Sequence, residues 1–166
     1  MRTVFSACVA ALALCACGQP AAAPVEPATA SGDAAPAGDF QTNVALVQAL
    51  YAEDAIPTDP AGVRKYFTEE FVPAMTGPDG FPFDYRVSNQ DGVHDSLTIA
   101  ETDGDGGNGR VVARYAWMGS PGETAFTICR QPDGALRIVN VLTTMGDGQI
   151  SDLRQVAELP ARPEGC

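Results

Sequence analysis

The chain has 166 residues and sets 10 Lys and Arg against 21 Asp and Glu, a formal charge of −11 at neutral pH. So acidic a molecule repels nucleic acid and anionic lipid headgroups, which excludes the usual electrostatic routes to both. Its apolar share of 45% is enough for the core of one ordinary domain.

In chain order, the first segment reads as an address. Arg2 supplies a positive start, and Val4 to Ala16 is an apolar run too short to cross about 30 Å of hydrocarbon, which takes about 20 residues. A Pro/Ala stretch follows it, with no basic stop-transfer flank. The four residues Leu14-Cys15-Ala16-Cys17 resemble the lipobox of bacterial lipoproteins. The resemblance implies cleavage of a signal peptide, residues 1–16, and acylation of Cys17 with palmitate-like chains, so that the membrane is a partner through a lipid anchor. Two or more chains anchor stably, each buried methylene contributing about 0.8 kcal/mol. Gly18 stands where such families use Asp to signal inner-membrane retention, so the resemblance implies the outer membrane, facing the periplasm. The alternative is an ordinary secreted protein cut after Ala16.

Cleavage would leave 9 basic residues against 21 acidic ones, a charge of −12, and three of the five cysteines. With Cys17 acylated, Cys129 and Cys166 remain. In an oxidising compartment an even leftover pair is the count expected for one disulfide, which at this spacing would contribute about 3–4 kcal/mol. Two unrelated thiols are the alternative.

Residues 18–39 are rich in Ala, Pro and Gly and nearly free of large apolar groups. Such a segment cannot bury enough surface to order itself, and residues 17–39 read as a lipidated Cys and a disordered tether. Its extended reach is on the order of 60 Å. The folded domain is expected over 40–166. Phe40, Val44, Val47, Leu50 and Tyr51 recur at helical spacing, predicting an amphipathic helix over 41–53. Asp59-Pro60 is a helix start, and a short helix follows through Phe67. Thr68-Glu69-Glu70 restarts a turn of helix, limited by Pro73 and Gly77.

After a turn at Gly77-Pro78-Asp79-Gly80 the period becomes two. Phe83, Tyr85 and Val87 alternate with Asp84, Arg86 and Ser88, predicting a strand whose Asp84 and Tyr85 point to opposite faces. Leu97 and Ile99 mark a second strand, and Asp103 to Gly109 a loop. Further strands are expected over 110–118, 124–130 and 136–142, with turns at Ser120-Pro121-Gly122 and Pro132-Asp133-Gly134. Ser151 is expected to cap a last helix carrying Leu153, Val156 and Leu159. Helices followed by a meander make an α+β domain: N-terminal helices packed on a bent five-stranded antiparallel sheet, with a short C-terminal helix.

The segments Leu46-Val47-Gln48-Ala49-Leu50-Tyr51, Tyr66-Phe67-Thr68-Glu69-Glu70-Phe71, Phe83 to Asp91 and Asp133-Gly134-Ala135-Leu136-Arg137-Ile138 carry a second resemblance. Together they resemble uncharacterised bacterial lipoproteins and periplasmic proteins related to the nuclear-transport-factor-2-like, or cystatin-like, architecture. The resemblance implies a cone-shaped α+β domain over 40–166 and no known reaction.

Candidate chemistry is sparse. The loop from Asp103 lacks a calcium pattern, because Gly107, Asn108 and Arg114 stand where a third ligand, a Gly and a Glu are required. It also lacks the Lys of a phosphate cradle. His94, the only histidine, lies between Asp91 and Asp95 without further ligand spacing. Gly119-Ser120-Pro121-Gly122 is not a nucleophile elbow. We therefore expect no catalytic residue, no metal and no cofactor. Tyr85, Tyr115 and Trp117 could line a pocket inside the cone, against the alternative that they pack the core. The expected function is a membrane-anchored envelope lipoprotein with a non-enzymatic domain that binds a protein or small ligand, and no nucleic acid. The alternatives are an inhibitor or immunity protein for an envelope-acting toxin, or an isomerase- or hydrolase-like enzyme using the cone.

Overall fold

The computed structural model describes residues 40–78, 81–87, 94–104, 107–144, 148–162 and 166. The signal peptide, Cys17 and the tether expected over 1–39 lie outside the described residues, as do parts of the expected turn at 77–80 and of the segment 83–91. Among the described residues no helix is long and apolar enough to cross a membrane.

The first helix, α1, spans Asn43–Tyr51, and the Thr42 hydroxyl caps it by accepting from the Ala45 amide at 3.1 Å. Asn43, Leu46, Val47 and Leu50 form its buried stripe. The second, α2, spans Pro60–Tyr66; Asp59 accepts from the Ala61 and Gly62 amides and Pro60 opens the helix, as the sequence predicts. A 3-10 turn, Glu69–Phe71, runs into α3, Val72–Met75. Pro73 sits in the first turn of α3 instead of ending it, because the first turn needs no amide donor from that residue.

The fold class is α+β, with one five-stranded antiparallel meander. Its strands are β1 Ser96–Gly104, β2 Gly109–Trp117, β3 Ser120–Arg130, β4 Leu136–Thr144 and β5 Ile150–Asp152, in sheet order β1-β2-β3-β4-β5. Two of the sequence expectations fail here. Residues 83–87 are a turn and not a strand: the Asp84 carboxylate accepts from the Arg86 amide at 2.9 Å, and the Val87 amide closes on the Asp84 carbonyl at 3.2 Å. This side-chain capture offers the backbone an alternative to a ladder. The fifth strand is instead β5, which pairs Asp152, Ser151 and Ile150 with Leu142, Thr143 and Thr144. Asp152, not Ser151, caps the final helix α4, Leu153–Val156, by accepting from the Arg154 amide.

The β2–β3 turn is also displaced from its expected place. Ser120, Pro121 and Gly122 are in β3, paired with Trp117, Ala116 and Tyr115. The reversal uses Met118 and Gly119, with φ of +49° and +78°. Two positive φ values are what a tight two-residue hairpin turn requires to match strand twist.

The helices cover one face of the sheet. Leu46, Leu50, Tyr66, Phe71, Phe126 and Ile138 belong to one continuous buried core. In β4 a register shift leaves Val139 between the pairs Ile138–Ile128 and Asn140–Thr127. This bulge moves the core-facing positions from Leu136 and Ile138 to Val141. Beside it, Phe67 bridges to Ile138, and the Thr68 amide donates to the Ile138 carbonyl at 3.2 Å, so the α2–α3 link covers part of the β4 edge. Arg154, buried, fastens the C-terminal segment by donating to Glu70, the Val139 carbonyl and the Pro160 carbonyl. Cys129 and Cys166 are placed as a disulfide, with Cα atoms 5.6 Å apart across a sequence separation of 37.

Candidate functional site

Two places collect polar side chains: the interior between α1 and the sheet, and the clefts on the surface. The interior cluster grows from the 84–87 turn. Arg86 meets Asp84 through Nε and Nη2, the shortest contact being 2.6 Å, and both residues are buried. Its Nη1 donates to the carbonyls of Leu50 at 3.1 Å and Glu53 at 2.8 Å, satisfying the open end of α1. Burial opposes the Arg86 charge, but the Asp84 carboxylate outweighs it and holds the guanidinium above its ordinary range.

The turn's own carbonyls are the second half of the cluster. Tyr51, at the end of α1, donates to the Arg86 carbonyl at 2.6 Å, and the Thr124 hydroxyl of β3 donates to it at 2.8 Å. Thr143 of β4, the direct cross-strand neighbour of Thr124, donates to the Tyr85 carbonyl at 3.1 Å. Tyr115 of β2 comes within 3.4 Å of Thr124. The Tyr115 ring lies over Gly122, its partner in the ladder, where any Cβ would collide with it. Burial raises the phenols of Tyr51, Tyr85 and Tyr115 above the ordinary tyrosine range.

The sequence-derived pocket residues therefore part company. Tyr85 and Tyr115 are both buried and both border this cluster, whereas Trp117 lies half-buried at the β2–β3 turn opposite Ser120. Asp84 and Tyr85 do not project to opposite faces of a strand, and both are buried. Tyr85 packs edge-on against Phe67 and Phe81, with ring centroids 5.3 and 6.0 Å away. Its hydroxyl has no hydrogen-bond partner among the described residues. His94 meets the Tyr51 ring edge-on at 6.0 Å. Among the described residues no three His, Cys, Asp or Glu side chains gather as a metal set.

Two cavities open at the surface. One of about 370 Å³ opens between the β1–β2 turn and β4, lined by Asp103, Asn108, Arg110, Asn140 and Arg162 and reaching Cys166. A second, also about 370 Å³, opens between the α2–α3 link and the β3–β4 turn. Arg64, Phe67, Thr68 and Glu69 line one side of it, and Gln131, Asp133 and Arg137 the other. Arg64 and Glu69 form a two-bond pair at 2.8 Å on its wall. Arg137 is only 7% exposed, yet among the described residues its one hydrogen bond runs from Nη1 to the Leu136 carbonyl at 2.9 Å. Burial pulls its guanidinium below the ordinary arginine range, with Asp133 offsetting part of the effect.

No protein-family model, curated protein or solved structure matches this chain. Any functional reading rests on the residues themselves.

Sequence reasoning missed Arg86, Arg137, Thr124 and Thr143. A signal existed for two of them. Asp84 and Arg86 are two apart in a segment whose apolar alternation competes with a local turn, and Arg137 interrupts the apolar run Leu136-Arg137-Ile138-Val139. Nothing local marks Thr124 and Thr143, which matter only because β3 and β4 pair in this register.

Proposed function

We propose that this chain is a lipoprotein of the cell envelope, acylated at Cys17 and held at the outer membrane facing the periplasm, whose folded domain binds a ligand or protein and performs no chemistry. The reading of the domain as nuclear-transport-factor-2-like belongs to the same proposal and is supported by helices laid on one face of a five-stranded meander. The anchor is supported by the apolar run ending in Leu14-Cys15-Ala16-Cys17.

The observation that carries the binding reading is how the interior polar groups use their hydrogen bonds. Asp84, Arg86, Tyr51, Thr124 and Thr143 bond to one another or to backbone inside the fold. A general acid or base must instead present its proton within reach of a bound substrate. Phenols pushed upward by burial also sit far from the neutral range in which proton transfer is efficient. The interior thus braces the domain, and recognition falls to the surface clefts. The acidity of the chain also suits the inhibitor or immunity reading, in which a basic toxin is the ligand.

Expression in a bacterial host with intact lipoprotein processing tests the anchor. The mature protein is expected in the membrane fraction, beginning at Cys17 and carrying the mass of its acyl chains. Cys17→Ser is expected to abolish acylation and processing. A mature protein that starts elsewhere and carries no lipid overturns the assignment.

A further inference from the structure

We propose that the cleft between the α2–α3 link and the β3–β4 turn is a binding site for a carboxylate-bearing ligand, with Arg137 as its anchor. The proposal deepens the binding reading above and rests on it.

A buried guanidinium is costly unless a carboxylate or several hydrogen bonds compensate it. This domain has three well-buried arginines, and two are fully provided for. Arg86 has the Asp84 carboxylate and two carbonyls, and Arg154 has the Glu70 carboxylate and two carbonyls. Arg137 alone of the three has no carboxylate within ion-pair distance among the described residues, and a single carbonyl bond. Of the five N–H donors in its planar fork, one is used among the described residues. Its depressed basicity has the same origin, burial without a paired anion.

The position of Arg137 is what makes it a site. Arg137 forms part of the wall of an open cavity of about 370 Å³, within the size range of small-molecule pockets. Thr68 and Gln131 add polar groups and Phe67 an apolar surface. The Arg64–Glu69 pair on the wall is mutually neutralised, so Arg64 does not compete for an incoming anion.

Charge selects the ligand class. A carboxylate is planar and singly charged and can take two parallel N–H bonds from one guanidinium. Asp133 also lines the cleft and is exposed. It would repel the second charge of a phosphate dianion more than it repels a monoanion. The occupant is therefore a small organic acid or the terminal carboxylate of a peptide.

N-acetylglycine carries the carboxylate common to both sources, and N-acetylglycinamide lacks only its charge. Each is titrated into the mature, acylated chain held in detergent micelles, while the side-chain Nε–H resonance of Arg137 is followed by NMR. N-acetylglycine should saturate that resonance in the millimolar range, with N-acetylglycinamide and inorganic phosphate at least tenfold weaker. Arg137→Gln should weaken N-acetylglycine at least tenfold, and Arg137→Lys should recover only part of the loss. The wild-type resonance gives the answer even where a variant folds poorly. No saturable shift at Arg137, equal binding of the amide, or tighter binding of phosphate overturns the proposal. Larger peptides ending in carboxylate and amide separate the two sources: affinity growing with peptide length indicates a chain terminus, and unchanged affinity a small acid. Saturable binding that maps to another face sinks this cleft while leaving the binding reading of the domain intact.

Discussion

Arg86 and Arg137 are chemically identical and energetically opposite. Arg86 is enclosed by the partners that justify its burial, so truncation would strand the Asp84 carboxylate and two carbonyls at the end of α1. Removing one partner of a buried ion pair costs about 3–5 kcal/mol. Arg86→Met is therefore expected to lower the unfolding free energy by about that amount in urea titrations. A loss below 1 kcal/mol would mean that the turn re-forms without the pair. Arg137→Met should behave differently. It exchanges a buried guanidinium with no carboxylate in ion-pair distance among the described residues for an apolar chain of similar length. Among the described residues only the bond to the Leu136 carbonyl is lost, so the exchange is expected to be neutral or stabilising. Thermal unfolding should show an unchanged or higher Tm, and a marked fall would reveal a structural role that its single carbonyl bond does not explain.

At the scale of elements, the sequence was legible where a local rule and the tertiary fold agree. Asp59-Pro60 predicts the start of α2 because cap geometry is decided within four residues. It was misleading where two local rules compete. Phe83 to Val87 alternates like a strand, but Asp84 can also curl the chain onto Arg86, and the helix end that receives Arg86 lies more than thirty residues away. The hairpin at Met118-Gly119 was missed for a related reason, since Pro121-Gly122 is the louder turn signal and yet both residues fit in the ladder. The C-terminal segment is the element whose attachment is easiest to isolate. The Cys129–Cys166 link closes a separation of 37 residues, and the chain-entropy estimate for such a loop is about 3–4 kcal/mol. Cys166→Ser, or reduction of the native protein, should lower the urea midpoint by the equivalent amount. Arg154 should keep α4 docked on Glu70 in the variant. An unchanged midpoint, or two free thiols found by alkylation without reductant, would remove the link from the account.

For the whole molecule, the candidate site was less legible than the fold because it depends on what surrounds a residue and not on which residue it is. The apolar periods are enough to foresee helices on an antiparallel sheet and four of its strands, but not β5, which the expected strand at 83–87 displaced. The interior polar cluster, and a buried arginine with no carboxylate partner among the described residues, emerge only once the sheet register is fixed. The tyrosines report on the buried interior as a unit. All four in the chain, Tyr51, Tyr66, Tyr85 and Tyr115, are raised above the ordinary phenol range, with burial the largest cause in each. A group whose folded pKa is raised contributes stability that is whole below its unfolded pKa and is lost as pH climbs above it. For phenols the loss therefore begins above about pH 10. The folded protein should show almost no tyrosinate absorbance at 295 nm up to that pH. Ionisation of Tyr51, Tyr85 and Tyr115 should then appear together with the loss of near-ultraviolet circular dichroism, in a single cooperative transition. Tyr66 is buried, but its hydroxyl bonds the half-exposed Glu53 at 2.5 Å, and any phenol that titrates ahead of unfolding should be this one. Tyr66→Phe would remove such an early component and leave the main transition in place. Early ionisation that survives Tyr66→Phe would mean that hydroxide reaches the interior while the fold is intact. That would reopen the interior as a site for chemistry.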